Sequence, residues 1–467
     1  MLSKVFSLQD ILEHIHDGQT IMFGDWHGQF AADEIIDGML EKGVKDIKAI
    51  AVSAGYPGQG VGKLIVAHRV SSIVTTHIGL NPEALKQMLA GELAVEFVPQ
   101  GTWAERVRCG GAGLGGVLTP TGVGTSVEEG KQKLVIDGKE YLLELPLHAD
   151  VALVKATKAD TAGNLYFRMN SRATNSTIAY AADFVAAEVE EIVPVGQLLP
   201  EEIAIPAPVV DMVYERQGEK RFICPMWKRP GPVPKPRRGN GRKGDEVMVE
   251  RKGRALIAWR CAQFFKNGDF VNLGIGLPLM CVNYLPEGVS LWLEAEIGTV
   301  GSGPSPDWDH VDIDVIDAGG QPASVITGGS VYDHETSFAF IRGGHIDATV
   351  LGTLQVDQEG NIANWTIPGK FVPGMGGAMD LCAGVKKIIV ATDHCEKSGH
   401  SKILKKCTLP LTGARCVTDI VTERCYFEVT PQGLVLRELA PGYTVEDIRA
   451  CTEADFIVPE TIAVMGE

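Results

Sequence analysis

The sequence holds 467 residues, 45% of them hydrophobic, and 43 Lys and Arg against 59 Asp and Glu give a formal charge of -16. That length exceeds what one core usually supports and predicts two units, while the charge disfavours nucleic acid and anionic membrane surfaces as partners. No uninterrupted apolar run approaches the roughly 20 residues that cross a bilayer, so no membrane association is expected.

The N-terminal stretch MLSKVFSLQDILEHIHDG carries acidic residues early and lacks both an apolar signal core and an Arg- and Ser-rich transit composition, which predicts a cytoplasmic protein. Apolar runs follow at TIMFG (20–24), IKAIAVS (47–53), AVEFVP (94–99), DVALVKA (150–156) and DFVAAEVEEIVPVG (183–196), with helical segments such as AADEIIDGMLEKG (31–43) between them. Strands alternating with helices imply parallel sheets covered by helices.

The stretch 225–246, PMWKRPGPVPKPRRGNGRKGDE, is rich in Pro, Gly and basic residues, cannot bury enough apolar surface to pack, and is expected to be a tether. It divides the chain into a first domain over 1–224 and a second over 247–467. Contact between its basic residues and nucleotide phosphates is one reading, and a solvated linker is the preferred one.

Two internal echoes predict that one plan occurs twice. DGQTIMFG (17–24) is echoed by NGDFVNLG (267–274), an offset of 250, and DVALVKATKADTAGN (150–164) by DATVLGTLQVDQEGN (347–361), an offset of 197. The unequal offsets mean a shared core order with different insertions.

Glycine clusters at 110–125, 272–279, 296–304, 341–347 and 374–381 mark places where backbone can approach a ligand and turn its N–H groups toward an anion. None has Walker A spacing, and no GxGxxG sits in a strand-turn-helix setting with its acidic partner. Glu296 follows the apolar run VSLWLEA and immediately precedes glycine turns, where open α/β sheets place their ligands. Spacing alone reads it more readily as a solvent-facing loop carboxylate. His27, His77, His345 and His394 offer no triad pairing, and no GxSxG elbow supports a serine nucleophile. The ten cysteines show no CxxC pair, so no metal site is expected and the thiols read as reduced, mostly buried side chains.

Together these segments resemble the type I coenzyme A transferases, the family of the 3-oxoacid and acetate/acetoacetate enzymes. PQGTWAERVRCGGAGLGGVLTPTGVGT (99–125), HADVALVKATKADTAGN (148–164) and AAEVEEIVPVG (186–196) resemble its α module. VNLGIGLPLMCVNYLPEGV (271–289), the long run 337–381 ending in GMGGAMDL, and ILKKCTLPLTG (403–413) resemble its β module.

The resemblance implies a fused pair of similar α/β domains of the CoA-transferase fold, each with an open, largely parallel sheet, and an active site where they meet. It places the family's nucleophilic glutamate, from a Glu-Asn-Gly motif, on Glu296, with Glu294 as the alternative carboxylate. A carboxylate nucleophile attacks the acyl-CoA to give a mixed anhydride and CoA thiolate; the thiolate attacks the glutamyl carbonyl, releasing the first acid and leaving a glutamyl-CoA thioester, and an incoming acid reverses these steps. Gly376 or Gly377 is the expected oxyanion donor, and Gly110, Gly111 and Gly113 are expected to face the same cleft. Gly274, Gly276, Gly343 and Gly344, with Ile297, Ser53 and Trp26, complete the expected CoA and substrate contacts. Coenzyme A enters as substrate, with small carboxylic acids as co-substrates; no bound cofactor or metal is required. Family members usually assemble further, so a homo-oligomer is expected.

The chain departs from the family pattern at three places. Ile297 follows the glutamate where Asn is usual, Val52-Ser53-Ala54-Gly55 replaces an Asn-Asn-Ala-Gly segment, and Gly24-Asp25-Trp26-His27-Gly28 replaces a Gly-Gly-Phe-Gly turn. Lost amide donors and added apolar bulk predict a preference shifted from compact 3-oxo acids toward more apolar acyl chains, or an impaired exchange. Two rival readings stand beside transfer: a CoA-ester hydrolase using the same glutamate, and a non-catalytic ligand-binding member of the fold.

Overall fold

A computed structural model describes residues 2–218, 252–370 and 372–466. The expected tether at 225–246, with the domain ends at 224 and 247, lies outside the described residues.

The first half builds a sheet in the order Met212–Glu215, Ala182–Val193, Ala149–Asp160, Thr20–Phe23, Ile47–Ala51, Val70–Thr75, Ala94–Phe97. Every neighbouring pair in that order is parallel, and Leu165–Tyr166 adds antiparallel to Ala149–Asp160. Parallel strands covered on both faces read as near-continuous apolar runs, and side chains alternate between the two faces. Ile21, Phe23, Ala49 and Ala51 accordingly enter one core cluster, whereas Met22, Ile50 and Val52 enter another on the opposite face. The second of these also takes in Ala295, Ile297 and Ile316, so the two halves share a core at their junction.

The second half carries a larger sheet whose centre is Trp292–Ala295, Phe270–Leu273, Ala348–Leu351, Lys387–Ala391 and Asp419–Val421, all parallel. Antiparallel strands extend it on both sides, Thr299–Gly303 and Ser324–Val331 on one and Cys425–Thr430 and Gly433–Leu439 on the other. Two similar open α/β domains are therefore present.

The sequence echoes are structural equivalences. Thr20–Phe23 and Phe270–Leu273 are the corresponding strands, offset by 250, and each is preceded by a helix, Leu8–Glu13 or Arg254–Ala262. Ile21 pairs with Val151 and Val271 pairs with Ala348, which reproduces the offset of 197 in the neighbouring strand. The DTAGN and DQEGN turns are built alike. Asp160 accepts the N–H groups of Ala162 and Asn164 and the Asn164 side chain, as Asp357 does those of Glu359 and Asn361 and the Asn361 side chain. The nine described cysteines are free thiols.

Candidate active site

Glu296 stands one residue past strand Trp292–Ala295, where the chain turns at Gly298 (φ 113°) into Thr299–Gly303. A Cβ at Gly298 would lie 2.2 Å from the Tyr332 carbonyl oxygen, so both conformation and space require glycine there. The two-residue period of the strand divides the string EAEI between two surroundings. Ala295 and Ile297 point into the junction core, while Glu294 and Glu296 line a cavity of about 480 Å³ beyond the carboxyl ends of Phe270–Leu273, Trp292–Ala295 and Ala348–Leu351.

The two carboxylates are held differently. Glu294 is buried and accepts hydrogen bonds from Ser337 Oγ at 2.6 Å and Asn272 Nδ2 at 2.7 Å. Burial pushes its pKa up to about 7 against those donors. Glu296 accepts no hydrogen bond from any described residue; burial first, then the negative charges of Glu294 and Asp380, push it up to about 8.

The segment 373–377 brings backbone against this carboxylate. Gly377 packs directly on it: a Cβ there would lie 2.6 to 2.8 Å from the Glu296 carboxylate atoms. The segment is held by the first half, since the Ile78 N–H donates to the Pro373 carbonyl, the Gly376 N–H to the Thr76 carbonyl at 3.2 Å, and the Gln100 N–H to the Gly376 carbonyl at 3.1 Å. Gly374 (φ 107°) comes so near that a Cβ would meet the Thr76 carbonyl oxygen at 2.3 Å. Behind it, Asp380 accepts the Gly101 N–H at 2.9 Å and the Thr121 hydroxyl at 3.1 Å, with Arg342 at 3.7 Å. Arg342 also pairs with Glu105. The cavity wall belongs to the second half, and the first half backs the loops that form it.

Several expected contacts fall elsewhere. The N–H of Gly376 is committed to Thr76, which leaves Gly377 as the glycine facing Glu296. Gly110 and Gly111 end helix Gln100–Gly111, about 16 Å from its start at 1.5 Å per residue, and pack on Leu147 and Tyr180. The start of that helix meets the site instead, through Gln100 and Gly101, which sequence reasoning missed although both lie in its PQGTW string. Gly113 has nothing within 4 Å of a Cβ, and Gly343 and Gly344 follow the far end of helix His334–Arg342. Gly274 borders the cavity with Ile275, whereas Gly276 does not.

Val52, Ser53, Trp26 and Ile297 are each at most 2% exposed and form none of its wall. Period-two alternation turns Ile297 away from Glu296. Val52 supports from behind, its carbonyl accepting the Thr76 hydroxyl at 2.7 Å. Trp26 acts at one remove: its indole N–H donates to the Ala318 carbonyl at 3.0 Å, His27 Nε2 lies 3.1 Å from the same oxygen, and Gln29 Nε2 donates to the Gly320 carbonyl at 3.0 Å. This clamp holds Asp317, Ala318 and Gly319, which do line the cavity. The expected shift in acid preference cannot arise from direct contact with these departures.

A carboxylate without donors, in a cavity at the strand ends with a glycine backbone pressed on it, is an arrangement suited to covalent acyl chemistry. The family model for coenzyme A transferase matches residues 6–216 and 255–450. The chain belongs to the coenzyme A transferase family.

As a member it is an enzyme that moves CoA between carboxylic acids, with CoA as substrate. Succinyl-CoA:3-ketoacid coenzyme A transferase 2A of Mus musculus is 41% identical over 477 residues, covering 98% of this chain and 90% of that protein. The bacterial acetate CoA-transferase subunits each match about half of it. Subunit alpha of Escherichia coli is 47% identical over 47% of this chain and all of its own length, and subunit beta of Haemophilus influenzae 54% identical over 45% of this chain and 94% of its own. This transferase thus fuses α and β modules. The crystal structure of an acyl-CoA transferase from Escherichia coli O157:H7 shares the fold, with a TM-score of 0.76 at 20% identity over 99% of this chain and 95% of that one.

The expectation of a cytoplasmic enzyme is overturned, because the full-length mouse and human relatives are mitochondrial. The first described residues pack on the folded domain. Lys4 Nζ donates to the Ala207 carbonyl, and Ser7 caps helix Leu8–Glu13.

Proposed function

We propose that this coenzyme A transferase works by a ping-pong route through a glutamyl-CoA thioester on Glu296. The Glu296 carboxylate attacks the thioester carbonyl and expels CoA thiolate, leaving a mixed anhydride. The thiolate then attacks the glutamyl carbonyl, the first acid leaves as its carboxylate, and CoA stays on Glu296. An acceptor acid runs the same steps in reverse.

The observation that carries this reading is the contrast between neighbours two residues apart. Glu294 is occupied by Ser337 and Asn272, while Glu296 has no donor among the described residues and meets the cavity and Gly377. The Gly377 N–H is the proposed oxyanion donor. Glu296 is anionic above about pH 8, so attack accelerates as pH rises toward and through that value.

The cavity wall that includes Gly274 and Gly377 is proposed to take the acyl thioester and the adjoining arm of CoA. Domain limits of 1–224 and 247–467 and assembly as a homo-oligomer belong to the same proposal. The donor and acceptor named in the mouse relative, a succinyl thioester and a 3-ketoacid, offer one candidate pair. Incubation with an acyl-CoA followed by borohydride reduction and mass spectrometry of peptides tests the route. A reduced adduct at Glu296, absent in Glu296→Ala, is expected; an unmodified Glu296 under turnover conditions refutes it.

A further inference from the structure

Three contacts among the described residues join pairs of cysteines: Cys261 with Cys281, Cys382 with Cys416, and Cys395 with Cys451. The first pair is buried and so is Cys382, whereas Cys395 and Cys451 are both partly exposed. That pair can therefore meet a reagent from solvent.

Neighbouring residues hold the two thiols side by side. Cys395 follows strand Lys387–Ala391 and Cys451 ends helix Val445–Cys451. His394 Nε2 lies 2.9 Å from the Thr452 hydroxyl, and the Cys395 thiol donates to the Cys451 carbonyl oxygen at 3.9 Å. Glu423 fixes the first segment by accepting the His394 N–H at 2.8 Å, and the same carboxylate accepts Arg424 Nε at 2.9 Å. Arg424 in turn reaches the Cys451 thiol, where its charge also offsets the negative end of the helix. Cys451 lines a cavity of about 480 Å³ with Glu396, His400, Ser401 and Thr452. This cavity backs onto the active site: Gln355 lines it, while Thr353 and Leu354 just before line the other.

We infer that Cys395 and Cys451 form a reversible dithiol–disulfide site that takes small-molecule disulfides from the adjoining cavity. The thiolate is the nucleophile in such exchange, and a neighbouring guanidinium favours it. Burial raises the Cys395 thiol, so Cys451 reacts first and Cys395 second. The Cys451 thiolate attacks one sulfur of the incoming disulfide, forming a mixed disulfide and releasing the other half as its thiolate. The Cys395 thiolate then attacks the Cys451 sulfur and expels the second half. One small disulfide is thereby reduced to two thiols, and the protein dithiol gives up two electrons and two protons. Glu296 takes no part.

The test incubates the reduced full chain with millimolar glutathione disulfide, quenches by alkylation and maps the peptides by mass spectrometry. A Cys395–Cys451 cross-linked pair is expected, reversed by dithiothreitol, with Cys451 the fastest-reacting of the described thiols by about tenfold. Cys395→Ser is expected to stop at a glutathione mixed disulfide on Cys451, and Cys451→Ser to give no cross-link. Cys395→Ala replaces the first variant if it fails to fold. A mixed disulfide on Cys451 that persists in the wild type, a cross-link that forms first between other cysteines, or a Cys451 left unmodified overturns the inference. None of these outcomes touches the route through Glu296, which its own borohydride test decides.

Discussion

The two halves place the same strand position in opposite surroundings. Met22 pairs with Ile50 in the first sheet, and Asn272, its counterpart at the 250-residue offset, pairs with Glu294 in the second. One strand residue pair further on, Val52 is the equivalent of Glu296. Ile50 and Val52 fill the junction core, whereas Glu294 and Glu296 open into a cavity. Duplicated topology thus supplies two candidate sites, and side-chain chemistry makes a catalytic centre at only one, the other becoming the packed support behind Thr76 and the glycine loop.

The most severe way to break this asymmetry is to remove its carboxylate. Glu296→Gln is expected to lose about 10³-fold or more in kcat with no trapped adduct, because no alternative nucleophile shares the cavity with the same freedom. Moving the charge to the equivalent position must not rescue it: Val52→Glu in that background places an unpaired carboxylate in a core and should lower thermal stability by about 3 kcal/mol or more without restoring turnover.

Gly377→Ala sharpens the comparison by adding one methyl group against Glu296. We expect kcat to fall about 100-fold with CoA binding largely retained, since a misplacement near 1 Å costs about that much. Steady-state kinetics with a fluorescence binding titration separate the two effects.

Charge tuning predicts a smaller, directional change. Glu294 and Asp380 both hold Glu296 above its ordinary range after burial, Glu294 more strongly. Glu294→Gln should therefore move the acid limb of the kcat/KM profile below pH 8, and Asp380→Asn should move it less. A limb that stays in place, or moves upward, contradicts the assigned causes. The mildest change is Trp26→Phe, which removes one of the side chains at the Ala318 carbonyl while His27 remains. A rise of about threefold to tenfold in the acid KM with kcat nearly unchanged is expected, the worth of one hydrogen bond.

Much of this was readable before folding. Equal spacing of DGQTIMFG and NGDFVNLG marked the paired central strands, and EIG after an apolar run marked the strand-end carboxylate. Helix Gln100–Gly111 meets the site at its start, whereas the glycines that mark it in the sequence stand at its other end. Ile297 adjoins Glu296 in sequence but not in space, because a strand sends neighbours to opposite faces and Ile297 enters the junction core. Gly376 and Gly377 are alike in sequence as oxyanion donors, and only the fold commits the Gly376 N–H to Thr76, a partner 300 residues away.

Local periodicity and turn chemistry are properties of short segments, so the sequence by itself determined the two parallel-sheet halves, their common plan and the position of Glu296 at a strand end. Which backbone donors stay free, which carboxylate is left without partners and which charges a substrate meets depend on surfaces brought together from both halves. Those features were decided only when packing joined Thr76, Gln100 and Gly101 to the glycine loop and Asp380, because desolvation and hydrogen-bond competition arise between residues that the chain keeps far apart.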